Sequence, residues 1–169
     1  MNGSDIYNLK EEETPDPLSF NQLEEYARTK AQGEQYALSQ MTPDFLVCAI
    51  GPHQVYGPTD RLFLPNFIET AQTGRLRILG TGRNLISMCH VDNVCHAHIL
   101  AAAKLTSITA PCAGKYYVVT DGGAQFMWGA INYAVTAAGF TDLLQKFNVN
   151  VCMLLPISYL CLLYTKITG

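Results

Sequence analysis

The sequence has no concentration of basic residues and no long uninterrupted apolar run. Its 169 residues carry eleven Lys and Arg against fourteen Asp and Glu, a formal net charge of -3, and the basic residues are scattered. A nucleic-acid surface needs concentrated positive charge, so this class of partner is not expected. The stretch 149–164 is mostly apolar but contains Asn150 and Pro156. It falls short of the roughly 20 residues that span a bilayer and favours an interfacial or buried helix.

Glycine-rich phosphate-binding loops are also absent. Neither Gly-x-Gly-x-x-Gly nor a Walker-type run occurs in the chain. Residues 80–84, Gly-Thr-Gly-Arg-Asn, lack the third glycine of such a loop, and strand-like residues follow them. The pattern therefore predicts a hairpin in which two strands, 75–79 and 84–88, flank this turn.

Disulfide bonds are not expected, although six cysteines would suffice for three of them. The sequence begins Met-Asn-Gly-Ser-Asp-Ile, without the basic and apolar segments of a secretory signal. We expect reduced thiols that face the cytosol. Cys48 lies inside the apolar run 45–50, where a cysteine behaves as a small core residue.

Residues 89–98 read Cys-His-Val-Asp-Asn-Val-Cys-His-Ala-His. A metal site is the main alternative to an ordinary helix in this segment. If Asp92 starts a helix, Cys95 and His98 share one face while His96 points elsewhere. Four ligands do not converge at this spacing. The sequence favours an Asp92 N-cap followed by a helix, and no metal site is predicted.

Helices and strands alternate along the chain, which predicts an α/β fold with a parallel or mixed sheet. The continuous apolar run 45–50 is typical of a strand that is buried on both faces of such a sheet. Besides that strand and the hairpin, the predicted elements are helices at 19–39, 62–73, 92–105 and 125–138, ending at glycines after 73 and 138, and a strand at 115–120.

Tyr26 and Lys30 are the residues with the clearest chemistry. Both lie in the first predicted helix, where four-residue spacing places a phenol beside an ammonium group. A cation next to a phenol favours the phenolate, and such a pair can carry out general acid/base catalysis. The same spacing also occurs by chance on surface helices, so the pair needs support from other motifs.

Four motifs in order provide that support: Tyr26-x-x-x-Lys30, Pro52-His-Gln-Val-Tyr-Gly-Pro-Thr-Asp60, His90-Val-Asp-Asn-Val-Cys-His-Ala-His-Ile-Leu-Ala-Ala102, and Tyr116-Tyr-Val-Val-Thr-Asp-Gly122. Together they resemble the extended short-chain dehydrogenase/reductases. Within these they most resemble the 3β-hydroxysteroid dehydrogenase and sterol 4α-carboxylate 3-dehydrogenase group. The similarity runs from about residue 4 to residue 139, and more loosely into the apolar tail.

The resemblance implies the C-terminal part of a Rossmann-type doubly wound sheet that binds NAD or NADP, with a small substrate-binding portion. It implies that Tyr26 exchanges the proton of a 3β-hydroxyl of a steroid or sterol while the cofactor takes hydride. Lys30 would hold the nicotinamide ribose, and Pro52 and His53 would lie beside the nicotinamide. A homodimer and a location in the cytoplasm or on the cytosolic face of the endoplasmic reticulum fit the same group.

Two departures from the family pattern shape the expected organisation. Residues 1–3 align just after the family's catalytic Ser or Thr, and Gly51 stands where relatives usually carry an arginine. We expect residues 1–148 to be a partial NAD(P)-binding domain and 149–169 a truncated apolar segment at a membrane surface. Such a fragment is expected to be unstable alone and not to bind NAD. The alternatives are a sugar-nucleotide epimerase or dehydratase of the same superfamily, and a catalytically silent remnant.

Overall fold

The computed structural model describes residues 25–168, which form an alternating α/β chain. Its elements are α1 (Glu25–Ser39), β1 (Ala49–Pro52), β2 (Gln54–Tyr56), α2 (Leu64–Gln72), β3 (Leu85–Ile86), β4 (Met88–His90), α3 (Val91–Lys104), β5 (Tyr116–Val119), β6 (Gln125–Phe126), α4 (Met127–Ala137), a 3₁₀ helix (Leu143–Gln145) and α5 (Val151–Thr168). Two compact units form, one from residues 25–53 and 91–120 and the other from residues 54–90 and 121–168.

The first unit is built on a parallel pair of strands. β1 pairs with β5 in a register that aligns Ala49 with Tyr116 and Pro52 with Val119. Helix α3 contacts both strands. Helix α1 belongs to the same unit and buries Ala31, which is 6% exposed. The parallel pair with its covering helix confirms the predicted α/β class for this part of the chain.

The second unit has its own sheets and its own apolar core. β2 pairs with β4 in parallel, and β3 pairs with β6 antiparallel. The core lies between α2, α4 and the segments that follow them, and the Phe67 ring meets the edge of Trp128 with centroids 6.0 Å apart. Its buried residues are Ala71, Leu76, Ile78, Trp128, Ile131, Val135 and Leu143.

The predicted hairpin around residues 80–82 is wrong. Instead of pairing with each other, residues 78–80 pair with Val149: the Val149 N–H donates to the Ile78 carbonyl and the Gly80 N–H donates to the Val149 carbonyl, both at 2.8 Å. Residues 85–86 form β3 and residues 88–90 form β4, each paired with a distant strand. The backbone N–H and C=O groups that would have paired within a local hairpin therefore bond to segments that are distant along the chain.

Three element boundaries also differ from prediction. Phe45 and Thr42 exchange backbone hydrogen bonds in a turn, so the strand expected at 45–50 begins at Ala49 and runs to Pro52. Asp92 is the second residue of α3 and not its N-cap, although its charge still lies in the first turn. There a carboxylate interacts favourably with the helix dipole. Residues 125–126, expected in a helix, form β6 before α4 begins.

Several predicted helices are confirmed. Gly74 and Gly139 adopt positive φ of 73° and 84° just beyond α2 and α4, where only a residue without Cβ reverses the chain cheaply. The first part of the helix predicted at 19–39, residues 19–24, lies outside the described residues. The apolar tail forms α5, and within residues 25–168 no helix combines the length and apolarity needed to cross a bilayer.

Candidate active site

Tyr26 and Lys30 lie on the exposed surface of α1, one helical turn apart. Tyr26 is 75% exposed, and Lys30 is exposed as well. Among the described residues, no side chain bonds to the Tyr26 hydroxyl or the Lys30 ammonium, and the Thr29 hydroxyl donates only to the Tyr26 backbone carbonyl at 2.9 Å. As far as residues 25–168 are concerned, both functional groups are accessible to a ligand outside the helix.

The exposure of this pair follows from which face of α1 the first unit covers. Ala27, Ala31, Glu34 and Leu38, at intervals of three or four residues, form the covered side. Burial raises the pKa of the Glu34 carboxyl. Tyr26 and Lys30 lie beside this covered face and not on it.

Pro52 and His53 lie at the carboxyl end of β1. Pro52 is the last residue of the strand, and the His53 N–H continues the pairing by donating to the Val119 carbonyl at 3.3 Å. The His53 residue is exposed. In open α/β sheets, ligands bind beyond the carboxyl ends of parallel strands. The four predicted site residues thus all belong to the first unit, as one pair on α1 and one pair at the end of β1.

The packing of the neighbouring strand explains why residue 51 is a glycine in this chain. The Tyr116 side chain of β5 occupies the position that a Cβ at residue 51 would take, with its hydroxyl and ring atoms in contact with that position. Any side chain at residue 51, including the arginine expected from relatives, would displace Tyr116. The glycine in place of the arginine that relatives usually carry therefore fits the position of the Tyr116 side chain on the neighbouring strand.

A second group of polar residues was missed at the sequence level and lies in the second unit. The Tyr56 hydroxyl donates to Asp121 Oδ2 at 2.8 Å, and the His90 N–H donates to both Asp121 oxygens at 2.8 and 2.9 Å. The Tyr56 and His90 rings meet edge to face at 5.3 Å. Tyr56 ends β2 and His90 ends β4, so the group lies at the carboxyl ends of two parallel strands, of which β2 was not predicted from the sequence.

This group holds the tyrosine in its neutral form. The hydrogen bond to Asp121, burial, and the Asp121 charge together raise the pKa of Tyr56. Burial and the Asp121 charge also raise the pKa of the Cys89 thiol, which is fully buried. Tyr56 is therefore a hydrogen-bond donor to a carboxylate, which suits a structural clamp better than an acid/base catalyst.

The cysteines and histidines do not form a metal site in the part of the chain described. No group of three or more His, Cys, Asp or Glu side chains is placed to hold a metal ion there. His98 Nδ1 lies 2.8 Å from the Val94 carbonyl, which satisfies it within α3. All six cysteines are free thiols, and burial followed by the neighbouring Cys112 raises the pKa of Cys48.

Comparison with known proteins finds a family match over most of the chain. The sequence pattern of the "3-beta hydroxysteroid dehydrogenase/isomerase family" matches residues 1–146. The 3beta-hydroxysteroid-dehydrogenase/decarboxylase isoform 1 of Arabidopsis thaliana is 30% identical over 94% of this chain and 36% of its own length. The decarboxylating sterol-4-alpha-carboxylate 3-dehydrogenase of Homo sapiens is 33% identical over 73% of this chain and 34% of its own length.

A solved structure shows the same fold. A dTDP-glucose 4,6-dehydratase from Bacillus anthracis str. Ames, crystallised in complex with NAD, superposes with a TM-score of 0.63 at 20% identity, covering 87% of this chain and 45% of the dehydratase. At this identity the likeness shows the Rossmann-type fold alone. The chain spans about a third of the length of the curated relatives described above.

Proposed function

The chain belongs to the 3-beta hydroxysteroid dehydrogenase/isomerase family, and from that premise we propose that it is part of an NAD(P)-dependent oxidoreductase acting on the CH–OH group of a 3β-hydroxysteroid or sterol. One observation carries the proposal: a phenol and an ammonium group lie one turn apart on an exposed helix face, unengaged by the described residues. The names of the relatives support the substrate class.

The proposed roles follow from the chemistry of the two side chains. Tyr26 takes the proton of the substrate hydroxyl in oxidation and returns it to the carbonyl oxygen in reduction. Lys30 places a positive charge within one helical turn of the phenol, which favours its deprotonated form, and it donates hydrogen bonds to a ribose diol. A fixed helix keeps both groups in one geometry, and this orientation lowers the entropy cost of the proton transfer.

The donor set fits the nicotinamide-ribose end of a dinucleotide. An exposed hydroxyl and ammonium on α1 can bond ribose oxygens, and Pro52 and His53 lie at the strand end where such ligands bind. The cofactor would accept hydride from the carbinol carbon. The 169 residues contain no glycine fingerprint for the pyrophosphate, so these residues can hold only part of the cofactor.

The test is hydride transfer from a 3β-hydroxysterol, followed by the absorbance of the reduced nicotinamide, for the 169-residue chain and for a longer polypeptide that contains it. In whichever of them is active, Tyr26→Phe is expected to lower kcat by about 10²- to 10⁴-fold, the range of a general acid/base contribution. Lys30→Ala is expected to lower kcat and raise the KM for the cofactor.

Tyr36→Phe is the matched control, because Tyr36 is an exposed tyrosine of the same helix. It should leave kcat and KM unchanged. Activity retained in the Tyr26→Phe variant would refute the proposed role of Tyr26. Cofactor binding that is unaffected by Lys30→Ala would separately refute the role of Lys30.

We also propose that α5 attaches the protein to a membrane surface, on the cytosolic face of the endoplasmic reticulum. Leu155, Tyr159, Leu160 and Tyr164 are all exposed on this helix. Apolar and aromatic side chains of this kind partition into the headgroup boundary. Flotation with neutral phosphatidylcholine vesicles should carry the chain upward, and replacing Leu155 and Leu160 with Ser should abolish this. A chain that stays at the bottom of the gradient contradicts the attachment.

A homodimer is proposed as the assembly. The exposed apolar residues Leu144 and Phe147 lie just before α5 and are candidates for burial against a second copy. Sedimentation velocity at increasing concentration should show a single shift from monomer to dimer. A mass that stays at one chain, or grows without limit, contradicts this assembly.

A further inference from the structure

The first unit contains an apolar cavity of about 560 Å³. One wall is the face of α3 that carries Ala97, Ala101 and Lys104. The opposite wall comes from the paired strand residues Ile50 and Tyr117, the loop before β5 also contributes to the lining, and the cavity is open to solvent. The volume lies within the roughly 300–1,000 Å³ of small-molecule pockets. The cavity is therefore the size of a ligand and not of a docking macromolecule.

The lining has one charged group, Lys104. The other lining residues are apolar, apart from Tyr117 and the thiol of Cys112. The Tyr117 hydroxyl is engaged, since it donates to the Pro111 carbonyl at 3.4 Å. Within residues 25–168, Lys104 makes no ion pair with a carboxylate. An apolar cavity with a single unpaired ammonium matches a ligand that is apolar over most of its length and anionic at one end.

We propose that this cavity binds a medium-chain aliphatic carboxylate, with the hydrocarbon chain between α3 and the two strands and the carboxylate at Lys104. Each methylene buried between the apolar walls strengthens binding by about fourfold. The carboxylate pairs with the ammonium, which is the one group in the lining with complementary charge. This site goes beyond the dehydrogenase proposal and uses none of its residues.

Lys104 has another role that the test must separate from ligand binding. It lies in the last turn of α3, where a positive charge interacts favourably with the helix dipole. That role would make Lys104 matter for stability but would give no preference for an anionic ligand. Comparing decanoate with decanol distinguishes the two, because they share the apolar chain and differ in charge.

Titration calorimetry of the 169-residue chain with decanoate and decanol, below their aggregation limits, provides the test. Wild-type chain should bind one decanoate saturably, about fivefold more tightly than decanol, as expected for a partly exposed ion pair. Octanoate should bind roughly fifteenfold more weakly than decanoate, since two methylenes are lost. Higher salt should narrow the difference between decanoate and decanol.

Variants assign the binding to this cavity. Lys104→Ala should remove the preference for decanoate over decanol, and Lys104→Arg should keep it. Ala101→Trp, or Ala97→Phe if the first does not fold, should fill the cavity and lower the affinity for both ligands more than tenfold. Lys115→Ala is the matched control, because Lys115 is an exposed lysine of the same unit that does not line the cavity.

Three results would overturn the proposal. The first is non-saturable binding by the wild-type chain, which would mean adsorption to exposed apolar surface. The second is equal affinity for decanoate and decanol. The third is binding that survives in the folded cavity-filling variant with unchanged affinity.

Discussion

Asp60 holds the turn that leads into α2 with a single carboxylate. Its oxygens accept hydrogen bonds from the backbone N–H groups of Leu62, Phe63 and Leu64 at 2.9–3.0 Å. Burial alone would raise the pKa of Asp60, but these three bonds outweigh it and the pKa is lowered. Asp60 therefore satisfies the N–H of Leu64, the first residue of α2, and the N–H groups of the two residues before the helix.

Asp60→Ala is expected to destabilise the second unit by about 1 kcal/mol, the usual cost of a lost cap. Because the folded pKa is depressed, the stabilisation is present above the unfolded carboxyl value of about 3.9 and is lost as the pH falls through the folded value. Urea unfolding followed by the fluorescence of Trp128, which is buried in the same unit, measures the change at pH 7 and pH 3.

Asp44→Ala serves as the control, since Asp44 is an exposed carboxylate with no capping role among the described contacts. The difference between wild type and Asp60→Ala should be smaller at pH 3, where the carboxyl of the unfolded chain is largely protonated, and should vanish as the pH falls through the folded value. A difference of the same size at both pH values would show that the charge of Asp60 does not support the turn.

Tyr56 stabilises the second unit through Asp121, and its effect should depend on pH in the opposite direction. The hydrogen bond to Asp121, with burial, raises the pKa of Tyr56. The neutral phenol is therefore the stabilised form, so the stabilisation is present below the unfolded value of about 10 and is lost as the pH rises through the folded value. Tyr56→Phe should remove this loss.

Measured by urea unfolding at pH 8 and above pH 10, the wild-type chain should lose more stability with rising pH than the Tyr56→Phe chain. At pH 8 the variant should be less stable by about 1 kcal/mol, the net value of one hydrogen bond. Tyr133→Phe is the control, since Tyr133 is exposed on α4 of the same unit. Parallel pH profiles for wild type and Tyr56→Phe would exclude Tyr56 as the titrating group.

At the scale of elements, the helices were predictable because their signals are local. Gly74 and Gly139 end α2 and α4 through backbone conformations that the sequence reveals by itself. The spacing of Tyr26 and Lys30 likewise placed them on one side of α1, because one helical turn separates them, but it did not predict that this side is exposed. What the spacing did not reveal was which neighbouring face the first unit covers.

The strands were less predictable, because their partners lie far along the chain. Residues 85–86 pair with 125–126, and residues 54–56 pair with 88–90. A run of apolar residues indicates a strand but does not say which other strand supplies its hydrogen bonds. For the same reason, the contact of Tyr56 with Asp121, 65 residues away, was missed.

The pairing of β1 with β5 leads to a prediction about Gly51. Tyr116 occupies the space beside Gly51, so Gly51→Ala should displace the ring. This displacement should lower the free energy of unfolding by about 1–3 kcal/mol, although an alanine is otherwise tolerated in a strand. Trp128 lies in the other unit, so the measurement is amide hydrogen exchange of the segment 49–52. Exchange there should be faster in the variant than in wild type.

A double-mutant cycle tests the cause of that change. Combining Gly51→Ala with Tyr116→Ala should cost less than the sum of the two single changes, because the clash is gone once the ring is removed. Gly33→Ala is a useful control, since a Cβ at Gly33 meets nothing within 4 Å. Strictly additive costs would show that Tyr116 does not restrict residue 51.

At the scale of the whole molecule, the two units differ in how much apolar surface each buries. The second unit has a contiguous core that includes Ile131, Val135 and Leu143, all at 0% exposure. In the first unit, α3 has no buried residue among those described, and Ile99 and Leu100 are exposed on it. Burial of apolar area is the dominant source of stability, so the second unit should be the more stable.

This difference predicts the order of hydrogen exchange in the 169-residue chain. Segments of α4 should exchange slowly, near the rate of global unfolding of their unit, because Ile131 and Val135 are enclosed by the core. Segments of α3 should exchange faster, because the helix opens without exposing a buried side chain. Decanoate should slow the exchange of α3 and leave the exchange of α4 unchanged. Equal protection of α3 and α4 without ligand would show that the first unit is stabilised by something other than its buried apolar area.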